Sequence, residues 1–453
     1  MRPLAIVCEA THVEEIRRGV ARYCHPYISS RFVLVISVDT AYEGSFDQER
    51  RRLIDWMGDP PGGATNKPLL CTTQATAKAA RLKQLASAFE YEIELETVAR
   101  LSAAPGSSGP PPLLRLLNQC GLSLRSASAH LLRHWAHGAI DRHAVDNWVE
   151  QFARLGPYKW IGEAILADTR LIEQAALGDK FQVFKLESGV ALAVVRDPRG
   201  GAKSGEIVQN LLGKRDGALK IHSSPKDAIE LAGATKVAIF EDGLWSGTEA
   251  MGVIDSMLGE RKPGTFKTDP LTDKASLNKV EITLAYGVAT DYGKALLSRF
   301  LRDRGLDNIK IWNEENIEVC KPELLDRIVS PTFDLEAMRT VGPLQGELTI
   351  QVLARMAAQG HSPKEVAAAY AFMTEVGTQL LNHYLLFMQA TKGWSGWPEE
   401  KRKAASMGMH GLGLTHAFGH SIPKAALPML WGRGEVIVGN KKVQWKPLFP
   451  NAY

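Results

Sequence analysis

The sequence predicts an α/β protein made of two α/β regions with helical additions. Three observations carry that prediction. Short runs rich in Val, Ile, Leu and Phe alternate with amphipathic stretches, first over residues 2–98 and again over 190–315. A Pro/Gly/Ser stretch, AAPGSSGPPP, follows the first of these at 103–112. The length of 453 residues exceeds what one compact core holds.

Composition narrows the class. The chain is 45% hydrophobic and 23% charged, as expected of a globular protein, and no run approaches the roughly 20 apolar residues of a membrane span. Met1-Arg2-Pro3-Leu4 enters a short strand and carries no signal-peptide cleavage pattern. The five cysteines are scattered without a CxxC pair, which argues against structural zinc and a disulfide framework and fits a reducing cytoplasm. A net charge of +4 allows an anionic ligand without arguing for nucleic acid.

In order, residues 2–8 (RPLAIVC) read as a buried strand, and Thr11-His12-Val13-Glu14 as a capping box opening a helix. Strands follow at 31–38, 68–72 and 90–98, with helices at 45–57 and 75–88. The alternation implies a parallel, Rossmann-like sheet, although no GxGxxG is present. Glu9, Thr11, Asp39, Thr40, Thr72 and Gln74 stand at strand ends, where open sheets place ligands. Two short helices around Gly121 resemble a helix-turn-helix, but no strongly basic helix follows. Residues 146–171 read as helix broken near Gly156-Pro157, and 181–196 as two strands around Glu187-Ser188-Gly189.

The loop after the second of those strands is Arg196-Asp197-Pro198-Arg199-Gly200-Gly201-Ala202-Lys203-Ser204-Gly205. Three cations and three glycines in one loop suit a doubly charged phosphate group, through guanidinium, ammonium and backbone N–H groups. The GxxxxGK[ST] spacing of a P-loop is absent.

The most informative stretch is KVAIFEDGLWSGTEA, residues 236–250. The apolar run Val237–Phe240 is expected to end as a strand at Glu241 and Asp242. Gly243-Leu244-Trp245-Ser246-Gly247-Thr248 reads as a tight loop, and 249–258 as a helix. Strand, acid pair, Gly/hydroxyl loop and helix together make an anion cradle at a helix N-terminus. The acids beside it suit sugar hydroxyls or a bound Mg²⁺ at the other end of the same ligand.

Further strands are expected at 279–288 and 308–312, with Thr290-Asp291-Tyr292-Gly293 opening a helix between them. Ser362-Pro363-Lys364-Glu365 has the cap, the Pro and the Glu of a strong helix start. His410, His416 and His420 have no acidic neighbour in sequence, so residues 408–453 read better as a segment closing over a site than as a metal centre.

EDGLWSGTE at 241–249 resembles the PRPP-binding signature of type I phosphoribosyltransferases. With WVEQF at 148–152, Lys203-Ser204-Gly205, HSIP at 420–423 through Trp431, and WKPLFP at 445–450, residues 140–453 are similar to the PRTase-CE family of bacterial conflict and antiphage systems. Some members of that family sit beside reverse transcriptases in retrons. Outside the resemblance, alternation and composition give a Rossmann-like α/β domain at 1–102 and a linker at 103–112, followed by a helical segment at 113–175. The resemblance implies a phosphoribosyltransferase-like core at 176–345 and a C-terminal helical hood at 346–453.

It also implies roles. Glu241 and Asp242, the catalytic pair, would hold the ribose hydroxyls. Gly243, Trp245, Ser246, Gly247, Thr248 and Glu249 form the loop that would take the 5′-phosphate. Arg196, Arg199, Lys203, Ser204 and Gly205 would take pyrophosphate. Mg²⁺ would come with PRPP or a nucleotide and touch Asp242. Two positions depart from the pattern: Trp245 stands where relatives carry an acid, and Glu249 where they carry Thr.

Three functions are expected from this. The first is an antiphage enzyme that transfers or cleaves a ribosyl phosphate. The second is a PRPP or nucleotide sensor without turnover. The third is a structural partner of a nucleoprotein complex, docking through residues 1–135, with a homo-oligomer allowed and no membrane involved.

Overall fold

The computed structural model describes residues 1–8, 10–37, 69–72, 94–97, 112–185, 187–196, 204–215, 220–262, 265–344, 346–393 and 396–450. It divides into one unit of residues 1–133 and 140–149 and a second of residues 134–139 and 150–453.

In the first unit, β1 (Leu4–Cys8), β2 (Val33–Ser37), β3 (Leu69–Thr72) and β4 (Glu94–Thr97) form a parallel sheet in the order β2-β1-β3-β4. Every residue of β1 is buried, as its unbroken apolar run requires of a central parallel strand. Leu4, Ile6 and Cys8 share a core with Val13, Ile16 and Val20 of the helix Ala10–Tyr23 and with Leu116 and Leu117 of the helix Pro112–Gln119.

Two local expectations change. The first helix begins at Ala10, so Thr11 lies inside its first turn instead of capping it. The second strand begins only at Val33, because Pro26 opens a separate helix, Pro26–Phe32, that buries Ile28 and Phe32. The expected helices at 45–57 and 75–88, most of the linker, and Glu9, Asp39, Thr40 and Gln74 lie outside the described residues.

The second unit is organised on a five-stranded parallel sheet. Before it comes a short strand, β5 (Arg170–Ile172). The sheet itself contains β6 (Val190–Val194), β7 (Ile221–His222), β8 (Lys236–Leu244), β9 (Glu281–Thr290) and β10 (Ile309–Ile317), in the order β10-β9-β8-β6-β7. Helices Ser204–Arg215, Thr248–Met257 and Asp291–Asp303 connect successive strands, the βα alternation that parallel pairing demands.

Residues 181–183, expected in a strand, instead end the helix Gln174–Val183. The rings of Phe181 and Phe184 stand edge-on against Phe240 of β8, 5.4 and 5.3 Å between centroids. Their aromatic character reflects packing onto the sheet and not membership of it.

The C-terminal part adds the 30-residue helix Pro363–Lys392. Its start is as expected: the Ser362 side chain accepts from the Glu365 N–H, and the Glu365 carboxylate accepts from the Ser362 N–H. β11 (His416–Phe418) pairs in parallel with β5, and β12 (Gly434–Val438) forms a hairpin with β13 (Lys441–Trp445). Among the described residues no helix is long and apolar enough to cross a membrane.

Candidate functional site

The sheet order creates a crevice. From β6 the chain moves outward to β7 and then returns to place β8 on the other side of β6. The loops leaving the carboxyl ends of β6 and β8 therefore diverge, and open α/β sheets bind ligands at such a switch point. A cleft of about 790 Å³ lies there, lined by Ser204 after β6, by Asp242, Ser246 and Thr248 at the end of β8, and by Phe418, His420 and Lys424 from the C-terminal part.

The loop after β8 is held by backbone contacts that only glycine permits. Gly247 caps the helix Thr248–Met257 with φ +75°, and a Cβ there would stand 2.9 Å from the Gly293 carbonyl oxygen. Thr290 Oγ1 accepts from the Gly293 N–H at 2.9 Å and donates to the Trp245 carbonyl. The end of β9 thus fixes the loop leaving β8. Ser246 Oγ and Thr248 Oγ1 lie 2.8 Å apart at the helix N-terminus, where the first backbone N–H groups have no intrahelical acceptor.

The acid pair does not follow the strand; it lies inside it. β8 continues through Leu244, with Glu241 opposite Tyr286 and Gly243 opposite Val288 of β9. Consecutive strand residues face opposite sides. Asp242 lines the cleft, and Glu241 is not among its lining residues. Desolvation, then the charges of Glu249 and Asp242, push the Glu241 carboxyl up to about 8, with Lys267 acting the other way.

Asp242 is held at both oxygens. Oδ1 accepts from the Gly243 N–H at 2.7 Å, and Oδ2 lies 3.0 Å from His420 Nε2. The His420 side chain is 3% exposed and that of Asp242 14%. Sequence reasoning found no acid near the C-terminal histidines; folding supplies one from 178 residues away. The HSIP motif was the only signal for it.

An aromatic column supports this contact. Phe418 stacks on His420 at 5.6 Å and 12°, and Trp245 leans on Phe418 at 5.6 Å and 47°. A Cβ on Gly243 would stand 2.6 Å from the Trp245 ring and 3.1 Å from Phe418, so the strand passes close beneath both rings.

The expected basic loop is divided. Ser204 lines the cleft with Asp242, and Gly205 lies where a Cβ would strike the Val195 carbonyl oxygen. Arg196 donates to Gln209 Oε1 and lines a separate cavity with Gln209, Asn210 and Lys214. Arg199 and Lys203 lie outside the described residues. Glu249, the other departure from pattern, is ion-paired to Lys267 at 2.9 Å.

The remaining histidines have other surroundings. His410 Nδ1 lies 2.9 Å from the Tyr292 hydroxyl, and no group of three His, Cys, Asp or Glu able to hold a metal exists among the described residues. The cleft offers hard oxygen donors: the carboxylates of Glu206, Asp242 and Glu249, and hydroxyls that include those of Ser204, Ser246 and Thr248. That set fits a Mg²⁺ carried largely by phosphate oxygens and water better than a resident all-protein cage.

The family model described as PRTase-CE matches residues 190–451, a span that contains β6 through β13 and every described lining residue named above. No curated protein matches the chain.

Proposed function

This chain belongs to the PRTase-CE family and is a phosphoribosyltransferase-like protein; from that premise we propose that its cleft binds PRPP or a nucleotide and transfers or cleaves the ribosyl phosphate. The observation that carries this reading is the meeting of Asp242, Ser246, Thr248 and Ser204 on one cleft at the sheet's switch point.

In this reading the N–H groups opening the helix Thr248–Met257 and the hydroxyls of Ser246 and Thr248 take the 5′-phosphate. Asp242 accepts from the ribose hydroxyls. The loop at 196–205 takes the leaving pyrophosphate. The C1′–O bond to that group breaks with its electron pair on oxygen, positive charge grows at C1′, and an acceptor lone pair makes the new bond. Asp242 stabilises the cationic carbon by charge. Mg²⁺, when bound with the ligand and touching Asp242, would supply neutralisation of the phosphate charge. The defence setting rests on the family resemblance alone.

A sensor without turnover is the second reading, favoured because Trp245, where relatives carry an acid, is packed on Phe418. Titration calorimetry with PRPP and with nucleotides, with and without Mg²⁺, tests the binding. Asp242→Asn should abolish it while the melting temperature stays within a few degrees. Unchanged affinity in that variant overturns the assignment. Binding without pyrophosphate release selects the sensor.

A further inference from the structure

His420 belongs to neither the acid pair nor either anion loop, yet its side chain reaches the Asp242 carboxylate at 3.0 Å. Its ring is fixed before any ligand arrives. The backbone around it closes on itself, Phe418 N–H to Ser421 O at 2.8 Å and Ser421 N–H to Phe418 O at 3.1 Å. The His420 carbonyl lies 2.8 Å from His137 Nε2. Phe418 covers one face of the ring. The stack and the 3.0 Å contact to Asp242 Oδ2 together restrain the two torsions of the side chain.

The consequence for Asp242 is geometric. A carboxylate offers about four lone-pair positions. One on Oδ1 is used by the Gly243 N–H and one on Oδ2 by His420. The two that remain lie one on each oxygen, in a plane fixed by the two bonds already made. A pair of neighbouring hydroxyls, each donating to one oxygen, is the group such a carboxylate takes with the least further ordering.

We propose that His420 is a positioning residue that orients Asp242 for a vicinal diol, so that a ligand with both ribose hydroxyls free is selected over one lacking either. The inference rests on the ribosyl-phosphate reading and adds its specificity determinant, supplied by the C-terminal segment. A carboxylate held by a single bond would rotate, and each hydroxyl bond would then cost additional ordering on binding. Partners that orient a binding group typically change affinity 10–100-fold when removed from metal sites, and a similar scale is expected here.

The test uses the full chain and three variants. His420→Phe keeps the stack on Phe418 and loses the donor; His420→Gln keeps a donor at similar reach; Asp242→Asn tests the underlying reading. PRPP, a ribonucleotide and its 2′-deoxy counterpart are titrated calorimetrically with Mg²⁺, and melting is recorded for each protein. The expected result is roughly ten-fold or greater weakening in His420→Phe, substantial rescue in His420→Gln, and a ribo-over-deoxy preference that shrinks in His420→Phe. A His420→Phe protein that melts like the parent and keeps both affinity and preference overturns the inference while leaving the reading intact, provided Asp242→Asn has lost binding. Equal weakening in both His420 variants also overturns it, because a donor at the same place would then have no effect. A parent protein that binds none of these ligands overturns both.

Discussion

Lys267 Nζ lies 2.9 Å from Glu249 Oε1, and this pair resolves the presence of an acid in the first turn of the helix Thr248–Met257. Glu249 is favourably placed toward the helix dipole but would repel a phosphate arriving at the same N-terminus. Lys267 neutralises it from outside the cradle.

Glu249→Thr should therefore tighten binding of a sugar phosphate several-fold, since it removes a negative charge and frees Lys267. Stability should change by no more than about 1 kcal/mol, because the Glu249 side chain is 63% exposed and surface pairs contribute little. Calorimetry and thermal melting check both parts. Weaker binding in the variant would sink the electrostatic argument.

Gly293 is the point where β9 locks the loop after β8. A Cβ there would run into the Trp245 carbonyl oxygen, which itself accepts from Thr290. Gly293→Ala should cost about 2 kcal/mol by overpacking backbone against backbone. Chemical denaturation measures this, and a neutral result would mean that the two segments separate readily.

Burial holds the imidazoles of His410 and His416 down to about 4, reinforced by the positive charges of Lys401 and Arg170 respectively. In the unfolded chain both titrate near 6.5. Between those values the unfolded state binds more protons, so stability falls as pH drops from 6.5 toward 4, by about 1.4 kcal/mol per pH unit for each histidine. His416→Gln should make the acid limb of a stability–pH curve shallower by one group's share. An unchanged slope would show that the side chain hydrates in the folded state.

Lys424 gives the opposite limb. Its ammonium rests 4.2 Å from the Trp431 ring centroid and 4.9 Å from that of Tyr384, and burial pulls its pKa down to about 7. The unfolded chain keeps that proton until about 10.4. Stability from this group should therefore rise with pH between 7 and 10, again by about 1.4 kcal/mol per unit. Lys424→Met should flatten that rise, as read from denaturation midpoints at pH 7 and 9.

Much of the second unit was legible because the signals were local. Val237–Phe240 read as a buried strand, Ser362-Pro363-Lys364-Glu365 as a helix start, and Thr290-Asp291-Tyr292-Gly293 as the opening of the next helix, where the Thr290 side chain accepts from the Gly293 N–H. Each depends on residues within a few positions. Errors came where local preference and packing diverged. Phe181 and Phe184 looked like strand residues because aromatics favour strands, but a helix brings them to the sheet face. The sequence also placed Glu241 and Asp242 after a strand, whereas β8 continues through both, and Asp242 lines the cleft.

By itself, the sequence determined the α/β class, the order of strand, loop and helix at 236–258 and the glycines that let the loop close, since each is encoded by neighbouring residues. Tertiary structure alone decided that Asp242 and not Glu241 lines the cleft, that Lys267 neutralises Glu249, and that His420 reaches Asp242 across 178 residues. Such contacts leave no periodic trace. They form because closing a long loop costs only slightly more than closing a short one, and burial of the aromatic column around Phe418 more than offsets that cost.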